Sequence, residues 1–512
     1  MQQKTEIHKE IQRLNKQFLH SSDFISKEIP LGPNELVILC FYSSLVKKSE
    51  IDRLLYLLRA SRKTVSGSGS YTAQNKSNLT ENIQSDQIEN NAQLELSEQL
   101  PLTTPILDDS VTITTEPYNN QKLIEYVCNG ESIVILLDTN EMIRLNSPNF
   151  VYRTPDEPAN EEVLRGSHEG FVENYDSNVS LIRKRIKNNK LIVKKIVIGK
   201  ETNTLVYYFY MEDVVDQEAL KTVEERLNAI DIDMFYSGGQ LSDYLDDQVW
   251  SPFPQLLNTE RPDRVVANIL EGKIAIMTDI TPTALIGPVT FFSFYQSPDD
   301  FNSRVLVGTF YRVMRILSFL TAIFLPAFYI AIVSFHFEVL PLELANKVKS
   351  DINQIPYRPL IEALIMEITI ELIREASVRL PKSIGQTIGI VGGLVIGESI
   401  VSAGLVSNLM VIVVAFTAIS SFVAPSVELN TSIRVLRFPF MILASLFGFF
   451  GIMIGTFILV VHLLNLSSLK RPYFSPIIPF EPKELHKIFF REPYYKAKKQ
   501  VTSFSPQKDE ES

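Results

Sequence analysis

The sequence predicts a multi-domain α+β/α protein, in which a cytoplasmic N-terminal half of two α/β subdomains precedes a polytopic α-helical membrane domain. The 512 residues have a mean hydropathy of only +0.07, but the apolar residues are concentrated in the second half of the chain. No charged residue occurs in 316–335, only Glu398 is charged in 383–427, and His462 is the one ionisable residue in 438–469. A helix of about 20 apolar residues crosses a hydrocarbon core of roughly 30 Å.

Residues 1–150 predict the first α/β subdomain. The run ELVILCFYSSLV (35–46) is typical of a buried strand, and 49–58 is typical of a helix. The segment 61–100 is rich in Ser, Asn and Gln and has too few apolar residues to offset the entropy of ordering it, so we expect a disordered insertion. Two further strands are predicted, at 132–137 and 141–145.

Residues 151–305 predict the second α/β subdomain. Its predicted strands are 191–198, 204–211 and 273–279, and its predicted helices are 181–188 and 217–230. The sequence contains no HExxH, GxSxG, Walker A or CxxC motif, and its six histidines are scattered. We therefore expect no enzymatic activity, no cofactor and no metal site.

Charge and cysteine content narrow the class of protein further. The net charge is −10, from 49 basic and 59 acidic residues, and this balance argues against a protein that binds nucleic acid. Cys40 and Cys128 lie in the polar half, where we expect reduced thiols in a cytosolic domain.

Residues 306–468 predict the membrane domain, which lies in a lipid bilayer. Four spans are predicted, at 316–335, 383–403, 405–425 and 438–464. The tail 469–512 is basic, so the positive-inside rule predicts that it is cytoplasmic. The N-terminal residues contain no apolar leader, so we expect both termini in the cytoplasm and an even number of crossings. Four crossings would leave Arg434 and Arg437 in an outside loop, where arginines are disfavoured.

An amphipathic acidic helix is predicted at 357–380. Glu367, Glu371 and Glu375 recur every four residues and therefore share one helical face. One interpretation is a surface helix with the internal ion pairs Glu371–Arg374 and Glu375–Arg379. The other makes the three glutamates candidate pore-lining residues of an oligomer, because acidic rings select cations.

Small residues and one isolated carboxylate mark the apolar runs. Six glycines at four-residue spacing are candidate helix-packing positions: Gly385, Gly389, Gly393, Gly397, Gly451 and Gly455. They indicate close helix packing, either within one chain or between copies. Glu398 is predicted to be an intramembrane polar residue that faces protein, water or the interface, because a charge at the centre of a bilayer is unfavourable.

Three stretches closely resemble the A subunits of GerA-type spore germinant receptors. They are ERPDRVVANILEGKIAIMTDITPTALIGPVTFFSFYQSPDDF (260–301), IEALIMEITIELIREASVRLPKSIGQTIGIVGGLVIGESIVSAGLVS (361–407) and PDEPANEEVLRGSHEGFVENYDSN (155–178). With the segments between them, the resemblance covers residues 105–480, whereas 61–100 is not part of the shared pattern.

The resemblance implies a location in the inner membrane of the endospore in Bacillus-like and Clostridium-like bacteria. It implies two partners, a permease-like B subunit that is thought to bind the nutrient and a lipoprotein C subunit. It further implies a homo-oligomer, a pentamer, that forms a nutrient-gated channel for monovalent cations. That function gives the pore-lining interpretation of Glu367, Glu371 and Glu375 the same weight as the surface-helix interpretation, and both stay open.

The sequence leaves two alternative functions open. The same family includes a sporulation-stage homologue that acts without a nutrient pocket, modulating ion or small-molecule release, and the polar N-terminal half does not distinguish the two. A secondary transporter subunit is a further alternative. Against it, the sequence predicts only four spans and shows no inverted repeat of broken helices.

Overall fold

The computed structural model describes residues 2–32, 35–46, 51–52, 55, 113–136, 139–145, 158, 161, 166–381, 393, 395 and 397–491. The chain divides into two compact units. The first comprises Met1–Val151 with Lys187–Asn189, and the second comprises Tyr152–Ile186 with Lys190–Ser512. The predicted insertion at 61–100 and most of the predicted helix at 49–58 lie outside the described residues.

The first unit is built on an antiparallel sheet. Its strands are β1 (Phe24–Gly32), β2 (Glu35–Tyr42), β3 (Ile113–Pro117), β4 (Ser132–Leu136) and β5 (Glu141–Leu145), and its helices are α1 (Gln2–Gln17) and α2 (Asn120–Cys128). The five strands are ordered β1-β2-β4-β5-β3. Nearly every side chain of β4 and of the described part of β2 is buried, as expected for continuous apolar runs. The predicted strands at 132–137 and 141–145 are confirmed over their described residues, and the predicted strand at 35–46 is confirmed as far as Tyr42, after which the chain turns.

Two cysteines lie in the core of the first unit. Cys40 on β2 and Cys128 at the end of α2 are buried free thiols, as the sequence predicts. Burial raises the pKa of the Cys40 thiol well above its ordinary value, because the charged thiolate would lose its hydration.

The α/β part of the second unit contains a second antiparallel sheet. Its helices are α3 (Tyr175–Arg185), α4 (Gln217–Asn228), α5 (Gly238–Leu245) and α6 (Pro262–Leu270), and its strands are β6 (Leu191–Ile198), β7 (Thr204–Met211), β8 (Leu257–Thr259), β9 (Ile274–Thr278) and β10 (Thr281–Gly287). The strand order is β6-β7-β9-β10-β8. The three predicted strands and the predicted helix at 217–230 are confirmed. The predicted helix at 181–188 is longer at its start, because Asn174 caps α3 at Ser177.

The helical half of the second unit follows a short helix, α7 (Pro298–Asn302). Its helices are α8 (Val305–Phe335), α9 (Leu342–Ile352), α10 (Pro359–Arg379), α11 (Asn408–Phe422), α12 (Val427–Phe447) and α13 (Phe449–Asn465), and residues 397–402 are also helical. The predicted span at 438–464 is divided between α12 and α13, because Gly448 adopts φ 61°, outside the α-helical region. Arg434 and Arg437, expected in a loop, lie instead on α12.

One helix of the described residues, α8, is long and apolar enough to cross a membrane on length and composition, and α11 and α13 are shorter apolar helices.

A buried carboxylate fixes the start of α8. Asp300 on α7 is fully buried, and its Oδ2 accepts hydrogen bonds from Arg315 Nη1 at 2.6 Å and Arg312 Nε at 3.4 Å. Arg315 Nη1 also donates to the Tyr295 carbonyl at 3.0 Å. Because both arginines belong to α8, this cluster attaches the helix to the segment that follows the second sheet.

The chain returns to the second sheet after α13. Strands β11 (Ser467–Ser468) and β12 (Arg471–Pro472) form a small hairpin, and α14 (Pro482–Phe489) follows it. Ser468 Oγ donates to the Gln255 carbonyl at 2.6 Å, and the Tyr473 hydroxyl donates to the Pro254 carbonyl at 2.7 Å. The first part of the predicted tail is therefore folded against the α/β part of its own unit.

Contacts at the two ends of the bundle give the directions of α8, α12 and α13. We call the base the end of the bundle at which α8 begins and α13 ends. His462 of α13 lies 2.8 Å from Ser251 Oγ of the α/β part, and Ser432 of α12 donates to the Pro252 carbonyl. Gly448 lies beside His336, at the opposite end of α8. Helix α12 therefore runs away from the base, like α8, and α13 returns to it.

A pH-dependent stability is expected from Asp246, which follows α5. Burial, then the neighbouring carboxylates of Glu428, Asp243 and Asp247, raise its pKa to about 7, and Arg226 only partly opposes them. Its Oδ1 has no hydrogen-bond partner among the described residues. The folded state therefore holds a proton that the unfolded state releases near pH 3.8, so stability falls as pH rises from about 4 and levels off above about 7.

Replacing Asp246 with Asn removes this penalty. We expect the thermal midpoint of Asp246→Asn to exceed that of the wild type by a few °C at pH 8 and by little at pH 4.5, measured by differential scanning fluorimetry in detergent. Asp231→Asn removes the same charge at an exposed position that does not act on the pKa of Asp246, and it is the control. Parallel curves for the wild type and Asp246→Asn would contradict the prediction.

Candidate functional site

The acidic face of α10 is paired with arginines of α12. Glu367 is fully buried, and its Oε2 accepts a short hydrogen bond from Arg437, which is 2% exposed. One turn later, Glu371 Oε2 accepts from Arg434 Nη1 at 2.7 Å. From the first pair to the second, the glutamate is four residues further along α10 and the arginine is three residues earlier on α12. This is the register expected for two antiparallel helices.

Further contacts hold the two pairs in place. Arg437 Nε donates to the Ala322 carbonyl of α8 at 3.0 Å. Arg374 lies 3.9 Å from Glu371, donates to Ser421 Oγ of α11 at 3.2 Å and stacks on the Phe422 ring at 4.1 Å from its centroid. These charged side chains therefore connect four helices, α8, α10, α11 and α12. We call Glu367, Glu371, Arg374, Arg434 and Arg437 the charged layer.

A second carboxylate contact fastens the far end of α10. Buried Glu362 accepts from the Ser407 backbone N–H at 2.6 Å and from the Ser407 hydroxyl. Ser407 caps α11, and its Oγ also lies 3.1 Å from the Tyr329 hydroxyl of α8. A carboxylate at a helix N-terminus is favoured by the helix dipole. Glu362 therefore lies near Tyr329, toward the end of α8 that is remote from the base, whereas Glu371 lies near the start of α12, which is at the base. Helix α10 thus runs toward the base.

The three candidate pore-lining residues differ in environment. Side-chain exposure rises from 0% at Glu367 through 27% at Glu371 to 65% at Glu375. Glu375 pairs with Arg379 at 2.5 Å, four residues later on the same helix. The two predicted ion pairs within α10 are both observed, and two pairs with α12 are added to them.

The arginines of α12 and Glu362 were missed as site residues by the sequence reasoning. The signal available was spacing: two arginines three residues apart, Arg434 and Arg437, complement two glutamates four residues apart, Glu367 and Glu371. Glu362 lies five residues before Glu367, so it does not share the four-residue spacing of the other glutamates. Its role is seen only in the structure, where it accepts from the residue that caps α11.

The candidate packing glycines fall into two groups. At Gly451, a Cβ would lie 2.0 Å from the Leu443 carbonyl oxygen of α12, and at Gly455 it would lie 2.7 Å from the Phe440 ring. Both therefore permit close packing of α12 and α13 within one chain. At Gly393 and Gly397, a Cβ would meet no described atom within 4 Å. Gly385 and Gly389 lie outside the described residues.

Glu398 and the metal-binding residue types are considered by their exposure and grouping in the structure. Glu398 is exposed on the helical segment 397–402. Over the described part of the chain, no group of three or more His, Cys, Asp or Glu side chains could hold a metal ion.

A sheet-rich α/β region followed by a helical half with internally paired charges defines the class: a multi-domain α/β and helical-bundle protein. The family model described as Bacillus/Clostridium GerA spore germination protein matches residues 12–503. This chain belongs to the GerA family of spore germination proteins, which confirms the resemblance seen in the sequence.

Relatives share most of their length with this chain. The "Uncharacterized membrane protein YfkQ" of Bacillus subtilis (strain 168) is 40% identical over 414 residues, 80% of this chain and 81% of that protein. "Spore germination protein KA" of the same organism is 38% identical over 384 residues, 75% of this chain and 71% of that protein. The solved N-terminal domain of the A subunit of the Bacillus megaterium spore germinant receptor GerK3 is 21% identical, with a TM-score of 0.36, covering 55% of this chain and 94% of that one.

The buried pair predicts a characteristic pattern of mutant stability. Glu367→Gln leaves the buried Arg437 guanidinium without a counter-charge, and Arg437→Met leaves the buried Glu367 carboxylate without one. Each variant alone is expected to lower the free energy of unfolding by about 3–5 kcal/mol. The double variant Glu367→Met with Arg437→Met removes both charges and is expected to recover most of that loss. Thermal unfolding in detergent measures both effects.

Glu375→Gln is the control for this pattern, because Glu375 is on the same face but exposed, and its stability effect should stay within about 1 kcal/mol. Equal losses for Glu367→Gln and Glu375→Gln, or a double variant that is additively worse, would contradict the role assigned to the buried pair.

The glycines predict a second contrast. Gly451→Ala forces a methyl group against the α12 backbone and is expected to cost about 1–3 kcal/mol. Gly397→Ala meets open space among the described atoms and gains helix propensity, so it should be neutral or slightly stabilising in the isolated chain. Thermal midpoints of the two variants, measured side by side, test this. Similar losses would mean that both positions are packed within the chain.

Proposed function

We propose that this chain is the A subunit of a germinant receptor in the inner membrane of the endospore. In this proposal it acts with a permease-like B subunit and a lipoprotein C subunit, and it forms a homo-oligomer, a pentamer, that conducts cations when nutrient is present. The proposal is supported by the GerA family membership and by relatives named as spore germination proteins. It assigns a receptor role without catalysis.

Exposed apolar side chains support the membrane location. The large apolar residues of α8, α11 and α13 include nine that are 53–84% exposed, and an exposed apolar surface of this kind is unfavourable in water. They are Leu306, Phe310, Ile412, Phe416, Ile419, Phe450, Met453, Phe457 and Ile458. A bilayer, or neighbouring copies within it, would cover them.

The contacts at the base support a topology with an even number of crossings. The α/β part of the second unit touches the start of α12 and the end of α13, and α8 leaves from the same end. We propose that α10 and α12 cross the membrane together with α8, α11 and α13. With the span expected at 383–403, most of which lies outside the described residues, the number of crossings rises from the four expected to six. Their charges, unfavourable singly, are paired with each other. The N-terminal half and the tail stay cytoplasmic.

Within the proposed channel, the three glutamates have separate roles. Glu367 and Glu371 hold α10 against α12, because their carboxylates are occupied by arginines of the same chain. Glu375 is the carboxylate that an oligomer would present to a pathway, since it is exposed near the base end of α10. Rings of such carboxylates concentrate cations. The exposed Glu375 side chain is the observation on which the pore assignment depends.

Potassium release from spores tests this function. Spores that carry the Glu375→Gln variant with its partner subunits are compared with wild type after addition of a mixture of amino acids, sugars and nucleosides. We expect release to slow several-fold, because neutralising the ring lowers the local cation concentration. Immunoblots check that subunit levels are equal.

Glu201→Gln removes the same charge from the exposed turn between β6 and β7 and serves as the matched control. Normal release from Glu375→Gln spores at equal subunit levels would overturn the pore assignment. Normal release from spores that lack this chain altogether would overturn the receptor function itself.

A further inference from the structure

The single tryptophan of the chain is fully exposed. Trp250 lies in the loop between α5 and β8 and is 100% exposed, and its neighbour Val249 is 54% exposed. A tryptophan side chain has a large apolar surface and one polar N–H, so complete exposure to water is unfavourable. The loop therefore presents a surface that is suited to an apolar, partly hydrated partner.

The exposure of Trp250 is built into the loop. Gln255, which is buried, accepts through Oε1 from the backbone N–H groups of Asp247 at 2.8 Å and Gln248 at 2.9 Å. Its Nε2 donates to the Gln248 carbonyl at 2.7 Å. Three hydrogen bonds to one buried side chain fix the backbone just before Trp250, so the indole is held outward by a preformed support.

The same loop is fastened to the end of α13. Gln248 Nε2 donates to the Asn465 carbonyl at 3.0 Å, and Ser251 Oγ lies 2.8 Å from His462 Nε2. These contacts flank Trp250 on both sides in sequence. The indole is therefore held at the level of the last turn of α13.

That level is where the apolar surface of α13 gives way to charge. Exposed apolar side chains follow α13 toward the base: Phe450, Met453, Phe457, Ile458, Val461 and Leu464. The exposed Lys470 follows in the β11–β12 turn, and its backbone N–H donates to Asp247 Oδ2 at 2.8 Å. An apolar belt bordered by Trp and then Lys is the order of side chains found at a membrane–water interface.

We propose that Trp250 and Val249 insert into the interfacial region of the lipid leaflet at the base, so that the α/β part of the second unit is anchored directly to lipid. The occupant of this surface is the bilayer, at the depth of the headgroups and the first acyl carbons. The exposed Lys470 adds a positive charge beside the same loop, which favours anionic lipids. This inference rests on the proposed function in one respect, the crossing of the membrane by α13.

Fluorescence quenching tests the anchor, because Trp250 is the only tryptophan and reports without interference. The purified full chain is reconstituted into vesicles of phosphatidylcholine and phosphatidylglycerol that carry a nitroxide at the headgroup, or near the start or the end of the acyl chain. We expect a blue-shifted emission and quenching by the headgroup and shallow nitroxides roughly twofold stronger than by the deep one. Iodide in the aqueous phase should quench weakly.

A second variant separates this inference from the membrane topology. Trp250→Phe combined with Phe457→Trp moves the fluorophore to the exposed apolar face of α13, where the deep nitroxide should quench best. If that variant behaves so while Trp250 is quenched mainly by iodide, the anchor is wrong and the crossing stands. If neither is quenched by any nitroxide, both fail. If Trp250 is shielded from iodide and from every nitroxide, a protein surface covers it and the lipid anchor is wrong.

Discussion

The pairing of α10 with α12 is the constraint on which the helical half depends. Neither helix is apolar enough to lie in a bilayer alone, since α10 carries Glu367 and Glu371 and α12 carries Arg434 and Arg437. Facing each other in antiparallel register, the four side chains form two ion pairs, one of them fully buried. Removing one partner of a buried ion pair destabilises the folded state far more than replacing both partners by apolar residues. The pairs therefore specify which two helices meet and in which direction.

The paired helices connect the base to the interior of the bundle. Helix α12 begins beside β8, where Asn258 donates to Glu428 at 3.3 Å. Its next turns carry Arg434 and Arg437, which pair with α10 in the charged layer. A displacement of that part of the α/β fold would move Arg434 and Arg437 against α10, because helices transmit motion as rigid elements. In the proposed receptor, this is a direct mechanical route from the cytoplasmic α/β part to the face that carries Glu375.

Much of the fold followed from local patterns, but the site did not. Continuous apolar runs identified β2, β4 and β7, and low charge identified α8, α11 and α13, because each pattern is contained in one segment. The pairing of α10 with α12 joins residues 63 and 70 positions apart, so reading each segment separately put Arg434 and Arg437 in a loop. Hydropathy did not predict the break at Gly448, because hydropathy depends on residue type and carries no information on the positive φ that this glycine adopts.

The increase in exposure from Glu367 to Glu375 limits how copies of this chain could surround a pathway. A carboxylate already bonded to an arginine of its own chain cannot serve a cation without breaking that bond, so Glu367 and Glu371 are unsuited to a permanent ring. Glu375 has Arg379 as an exposed partner, and exposed pairs contribute little stability. In an oligomer, Arg379 would offset the repulsion among neighbouring Glu375 side chains while the assembly is closed. Separation of these weak pairs, and not of the buried ones, would then free the carboxylates for cations at little energetic cost.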